Sequence, residues 1–144
     1  MSKSSVPELP CMCASFRRAS RALTQRYDEA LRPLGLTGTQ FTILQVLSLA
    51  GEIPHGKLGE ILAMDSTTLT RTLKIISRHG WISIRRGKDR RERWLRLSPS
   101  GEAEFRRAHP HWKKAQEQLR AQLGPKLWNN LMGLINQVTA AVAE

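Results

Sequence analysis

Residues Asp65–Leu97, DSTTLTRTLKIISRHGWISIRRGKDRRERWLRL, decide the fold, because they spell a helix followed by a hairpin with an arginine-packed tip. Asp65 is the N-cap: its side-chain oxygens can accept from the unpaired N–H groups of the first turn. Met64 and Leu69 stand at the spacing of a hydrophobic staple. Leu69, Leu73 and Ile76 recur on one helical stripe, and Gly80 ends the run. Thr67, Arg71, Lys74 and Arg78 form the opposite stripe, with hydroxyls and cations and no carboxylate.

Beyond Gly80, Ile82, Ile84, Leu95 and Leu97 alternate with Ser83, Arg85, Trp94 and Arg96. That period of two belongs to a two-stranded ribbon with one buried face. Its tip, Gly87–Glu92, carries Lys88, Arg90 and Arg91. From Arg85 to Arg96 seven cations face only Asp89 and Glu92. A cationic helix face beside a cationic hairpin suits a DNA major groove and the minor groove next to it. Taken alone, these residues read equally as a solvated charged loop on an ordinary domain, so the adjoining segments decide.

At 144 residues the chain is one domain, 1–144, long enough for a core and better suited to being a protomer of an assembly. Net charge is +11, concentrated on the hairpin, which calls for a polyanionic partner, nucleic acid before membrane. No apolar run approaches the roughly 18 residues of a membrane span. The N-terminus lacks a charged leader followed by an apolar stretch, so the expected location is cytoplasmic. Gly-rich phosphate loops, HExxH, GxSxG and paired carboxylates are missing, and His55, His79, His109 and His111 are scattered. The reading is of a protein that is not an enzyme and needs no cofactor.

Residues 1–7 are small and polar and predict a loosely held tip. A long helix is expected from about Glu8 to Leu34, with Leu9, Met12, Phe16, Ala19, Leu23, Tyr27, Ala30 and Leu34 on one stripe. That apolar face is longer than a single small domain needs and points to a second subunit. Thr37-x-x-Gln40 is a capping box, Leu36 and Phe41 a staple, and the helix they open is apolar nearly all round. After Gly51, Ile53-Pro54 is extended, and a short helix turns Leu58, Ile61 and Leu62 inward. Gly59 within it costs about 1 kcal/mol relative to Ala. The short helix, the Ala63-Met64 corner and the Asp65 helix form a helix-turn-helix, and the hairpin is its wing. Ser98-Pro99 starts another helix, His109-Pro110 interrupts and kinks it, and Gly124-Pro125 separates it from a last helix. Leu127, Leu131, Leu134, Ile135, Val138 and Val142 are the apolar face of that last helix.

The fold class is therefore mainly α with a small β-wing. Residues 36–98 are the winged helix-turn-helix, and 1–35 and 99–144 are dimerisation helices. A homodimer would read double-stranded DNA as a pseudo-palindrome, with half-sites roughly 34–36 Å apart.

The segments LGLTGTQFTILQVL, LGEILAMDSTTLTRTL and GKDRRERWLRLSPSG resemble the MarR family of bacterial transcriptional regulators, over about residues 11–135 and in the right order. The most specific part is Asp89-Arg90-Arg91, followed by a strand and the Ser-Pro-x-Gly helix start. The resemblance implies a triangular homodimer that binds operator DNA and represses nearby or divergent genes. It implies that Arg91 reaches into the minor groove, with Asp89 bracing the wing. Ser66, Thr67, Thr68, Thr70, Arg71 and Lys74 would meet bases and phosphates in the major groove. Arg71 and Lys74 suit guanine, and phosphate contact is equally open to them. Arg85, Arg86, Lys88 and Arg90 would hold phosphates. Trp94 faces Arg85, as a cation–π partner or a plain hydrophobic cover.

The resemblance also implies release from DNA by a small molecule, often aromatic and acidic, lodged between dimer helices and winged domain. Arg17, Tyr27, Phe41, His109, His111 and Trp112 are the candidate walls, though each also reads as core or surface. Organic-hydroperoxide sensors of the family place a tyrosine fourteen residues after a reactive cysteine, as Tyr27 follows Cys13. Fourteen residues span about 21 Å of helix, so contact would have to come from the other subunit. Arg17 replaces the second tyrosine of those sensors, although a nearby arginine would itself lower a thiol pKa. Cys11 and Cys13 read otherwise as small residues packing at a helix start, or as a metal site short of ligands. On a regular helix residues two apart point apart, so oxidation would link subunits or capture a small thiol. A winged-helix protein that binds nucleic acid without sequence preference is the remaining alternative.

Overall fold

The computed structural model describes residues 7–143. The loosely held tip falls outside the described residues except for Pro7. The order is α1 (Met12–Leu31), a 3-10 turn (Arg32–Leu34), α2 (Gly38–Ala50), β1 (Glu52–Pro54), α3 (His55–Leu62), α4 (Ser66–Arg78), β2 (Ile82–Arg86), β3 (Arg93–Leu97), α5 (Pro99–Leu123) and α6 (Pro125–Val142).

Three boundaries differ from the sequence reading, the first being that α1 ends at Leu31 and a 3-10 turn, not α-helix, continues to Leu34. The first helix begins at Met12 rather than Glu8, because Pro10 lacks an N–H and pushes Leu9 out of the helical region. Pro110 does not interrupt α5, which runs from Pro99 to Leu123. Ala108 buried just before the proline, and Phe105 and Trp112 packed on the core to either side, hold the helix across the missing hydrogen bond.

The ribbon gains a third strand. Ile53-Pro54 is extended because β1 pairs antiparallel with β3, giving the order β1-β3-β2. Pairing on both edges stabilises β3, since an isolated two-stranded hairpin is marginal in water. The register sets Ile53, Leu95 and Ile84 on one face, and Glu52, Arg96 and Ser83 on the other.

One core joins these elements. Phe41, Ile43, Leu44 and Leu47 of α2 meet Leu58 of α3, Leu69, Leu73 and Ile76 of α4, and Ile53, Ile82, Leu95 and Leu97 of the sheet. Ile61 and Ile84, expected inward, are about half exposed, and Leu49 is exposed as well, because the core does not reach that far. Trp81 joins the core without having been singled out, and its carbonyl accepts from Ser98 N–H at 3.0 Å. A Cβ on Gly101 would lie 1.9 Å from that carbonyl oxygen, so only glycine lets α5 start there. At the helix-turn-helix corner Ala63 takes a left-handed φ of 50°, and Gly59 admits the Met64 carbonyl beside it.

The outer helices contrast with this core. α6 has no buried residue, and α1 has only Leu31. The chain exposes 10573 Å². A compact monomer of this mass would expose roughly 7,500 Å². Among the described residues no helix is long and apolar enough to cross a membrane.

Candidate nucleic-acid interface

The reading helix is fixed from within. Thr68 N–H donates to Asp65 Oδ1 at 2.8 Å, and the Thr68 hydroxyl to Oδ2 at 2.7 Å. These two bonds hold the Asp65 carboxyl below its ordinary pKa. The Thr68 hydroxyl thereby gives its proton to the cap and, exposed, keeps only its lone pairs for DNA. Leu69, Leu73 and Ile76 anchor the inner stripe, which leaves Ser66, Thr67, Thr70, Arg71, Lys74 and Arg78 exposed. Arg71 and Lys74 have no ion-pair partner among the described residues.

The wing is braced by its own backbone. Gly87 N–H donates to the Glu92 carbonyl, and Glu92 N–H to the Asp89 carbonyl, each at 3.0 Å. Asp89 Oδ1 accepts from Arg91 N–H at 3.0 Å. Arg93 reaches back to the Arg90 carbonyl at 2.7 Å. Arg86, Lys88, Arg90 and Arg91 remain exposed and without a carboxylate partner among the described residues.

Arg85 behaves differently. Its Nε donates to Glu52 Oε1 at 2.7 Å, its Nη2 donates to the same oxygen, and its guanidinium lies 5.0 Å from the Trp94 ring centroid. The guanidinium in turn holds the Glu52 carboxyl below the usual range. The cation–π alternative is the one that forms, and Arg85 is a strut tying β1 to the wing rather than a free phosphate ligand. Sequence spacing gave no sign of Glu52, because the partners are 33 residues apart.

Helix and wing enclose one cleft of about 530 Å³, lined among others by His55, Ser66, Thr70, Lys74, Ser77, Arg91 and Arg93. It brings Lys74 and Arg91 together from separate elements. His55, Ser77 and Arg93 were not among the sequence candidates. Arg93 was visible in the charge count; His55 carried no local signal.

A second cleft, about 630 Å³, lies between α1, α2, α5 and α6. Tyr27 and Trp112 line it with Phe16, Leu23, Leu131 and Leu134, and among the described residues no charged side chain does. Tyr27 donates its hydroxyl to Gln116 Oε1, and burial raises its pKa. The other expected wall residues do not line this cleft. Phe41 is sealed in the core and stacks on Trp112. His109 packs edge-on to Phe105, and Arg17 and His111 lie on the surface. Cys11 and Cys13 are both exposed thiols. Cys11 is an extended N-cap, not a helical residue, so helical geometry does not force the pair apart.

Residues 36–92, from the head of α2 to the wing tip, match the model of the MarR family. Transcriptional regulator MosR of M. tuberculosis, crystallised in complex with DNA, is 36% identical, with 92% of this chain and 98% of that one covered and a TM-score of 0.79. The chain belongs to the MarR family.

A MarR-family protein is a DNA-binding transcriptional regulator, not an enzyme, and the winged helix is its DNA-binding fold. The HTH-type regulator YwoH of Bacillus subtilis is 28% identical over 106 residues, covering 74% of this chain and 77% of that one. A mutant of E. coli MarR complexed with operator DNA shares the fold at a TM-score of 0.78, with 23% identity over 88% of this chain and 92% of that one.

Proposed function

We propose that this MarR-family regulator is a homodimeric, cytoplasmic repressor that reads a pseudo-palindromic operator. Residues 36–98 are its reading head and the flanking helices join the protomers. Ser66, Thr67, Thr70, Arg71 and Lys74 enter the major groove, Arg91 the minor groove, and Arg86, Lys88 and Arg90 hold phosphates. The observation that carries this reading is the cleft where Lys74 and Arg91 converge; Glu92 also lines it, but neither cation forms an ion pair among the described residues. Fixed, unpaired cations at that density favour a polyanion. Fluorescence anisotropy on duplex from upstream of its own gene, against scrambled duplex, tests it at two salt concentrations. A preference on the order of 10³ supports a specific reader; equal affinity would return the chain to non-specific binding.

Release by a ligand in the second cleft belongs to the same reading. Its apolar and hydroxyl lining suits a neutral aromatic molecule better than the acidic one the resemblance suggested, since a carboxylate there would lack a cation. The exposure of Cys11 and Cys13 favours one further reading, a thiol-switched repressor using Cys13. Hydroperoxide would then release the protein from DNA, dithiothreitol would restore it, and Cys13→Ser would abolish the response.

A further inference from the structure

Thr70 differs from the other hydroxyls that line the first cleft. Its Oγ1 lies 3.2 Å from Nε2 of His55, the first residue of α3. The hydroxyls of Ser66 and Ser77 have no such side-chain partner among the described residues. His55 is half-buried and follows Pro54, whose strand is paired to β3, so the imidazole stands on a fixed backbone.

We propose that His55 is a specificity-setting positioning residue: through Thr70 it decides which base edge the reading helix prefers. The inference rests on α4 being the reading helix. A hydroxyl has one proton and two lone pairs. When Nε2 of neutral His55 accepts that proton, Thr70 can only accept outward, which suits the amino groups of adenine or cytosine. When Nε2 carries a proton, it donates to Oγ1 and turns the Thr70 O–H outward, toward guanine O6 and N7, thymine O4 or adenine N7, but not toward cytosine, which offers only a donor there. Doubly protonated His55 permits only the second arrangement. Acidification therefore moves the preference at one position away from cytosine and toward guanine or thymine, while adenine, which has both a donor and an acceptor, suits either state.

Protonation also adds a cation to a cleft that other charges share. Lys74 lines it from α4, and Arg91, Glu92 and Arg93 from the hairpin; Asp65 and Glu60 line an adjoining pocket that shares His55 and Ser66. Asp65 is engaged by Thr68, and Glu60 by Lys57 at 3.3 Å. A cation near phosphate raises affinity for every sequence, whereas the Thr70 effect is confined to one position. Sequence preference, not overall affinity, is thus the discriminating readout.

The experiment selects binding sites from a randomised duplex pool with the full-length protein. It then measures affinities for the selected duplex and its single-base-pair variants at about pH 8 and about pH 5.5. The expected result is a wild-type preference at one position per half-site, of a few-fold to about tenfold, that changes with pH. His55→Phe and Thr70→Val should each flatten that same position, the double variant should add nothing, and His55→Gln, which can still donate and accept, should keep a preference without the pH dependence. Circular dichroism confirms that each variant is folded. Uniform weakening by His55→Phe on all duplexes, or altered preference at a position Thr70→Val leaves alone, would overturn the proposal. If Arg71→Ala changes base preference while His55→Phe does not, the reading helix stands and only this inference fails. If the wild type selects no sequence, both fail.

Discussion

The region from α2 to β3 and the pair α1 and α6 are built from similarly apolar stripes, yet they end in opposite states. In the first, Phe41, Ile43, Leu44, Leu58, Leu69 and Ile76 are almost wholly excluded from water. In the second, Met12 is 68% exposed, Leu134 55% and Phe16 43%. An amphipathic helix gains most of its stability by burying its apolar face. The reading region finds that burial inside one chain; α1 and α6 leave it to a surface the chain does not supply. The lesson is that periodicity identifies an apolar face but not which molecule covers it.

The comparison breaks most readily at α6. Leu134→Asp together with Ile135→Asp should convert the proposed dimer to monomer by light scattering and cut operator affinity by about 10²-fold or more, as bivalence is lost. A variant that stays dimeric would mean that α6 is not the interface. Arg91→Ala acts at the other end. It should cost about 10–100-fold in operator affinity by anisotropy, leaving mass and helicity unchanged. Undiminished binding would refute the wing assignment.

Two further changes sharpen the contrast from the reading side. Gly101→Ala forces a methyl against the Trp81 carbonyl and should lower stability by about 1–3 kcal/mol in urea unfolding. A like substitution at Gly133 of α6, where a Cβ meets nothing within 4 Å, should not. The smallest effect concerns Asp65. Because its carboxyl is held below its ordinary pKa, its stabilising contribution is complete above that value and lost as pH falls through the lowered one. Thermal midpoints against pH should therefore fall less steeply on the acid side in Asp65→Asn, which keeps a cap oxygen but no charge.

Much of the reading end was legible because its determinants are local. The Thr37–Gln40 box forms with both reciprocal bonds, Asp65 caps as its position demands, and Arg85 faces Trp94 in the expected register. Each is a relation within one turn or one hairpin. The misses are relations at a distance. Glu52 on Arg85, His55 on Thr70, Trp81 on Gly101 and the pairing of β1 with β3 join residues that no period connects. The candidate wall residues part company for the same reason: Phe41 and Trp112 stack on one another, but only Trp112 reaches the cleft.

The sequence by itself determined the helices, their caps, the hairpin, the cationic face and hence the class of partner, since backbone hydrogen bonding and side-chain period act over a few residues. Tertiary structure alone decided which cations stay free, which hydroxyl is held, and which apolar stripes remain uncovered. Those outcomes depend on packing between elements far apart in the chain, where distance and burial, not spacing, set the energies.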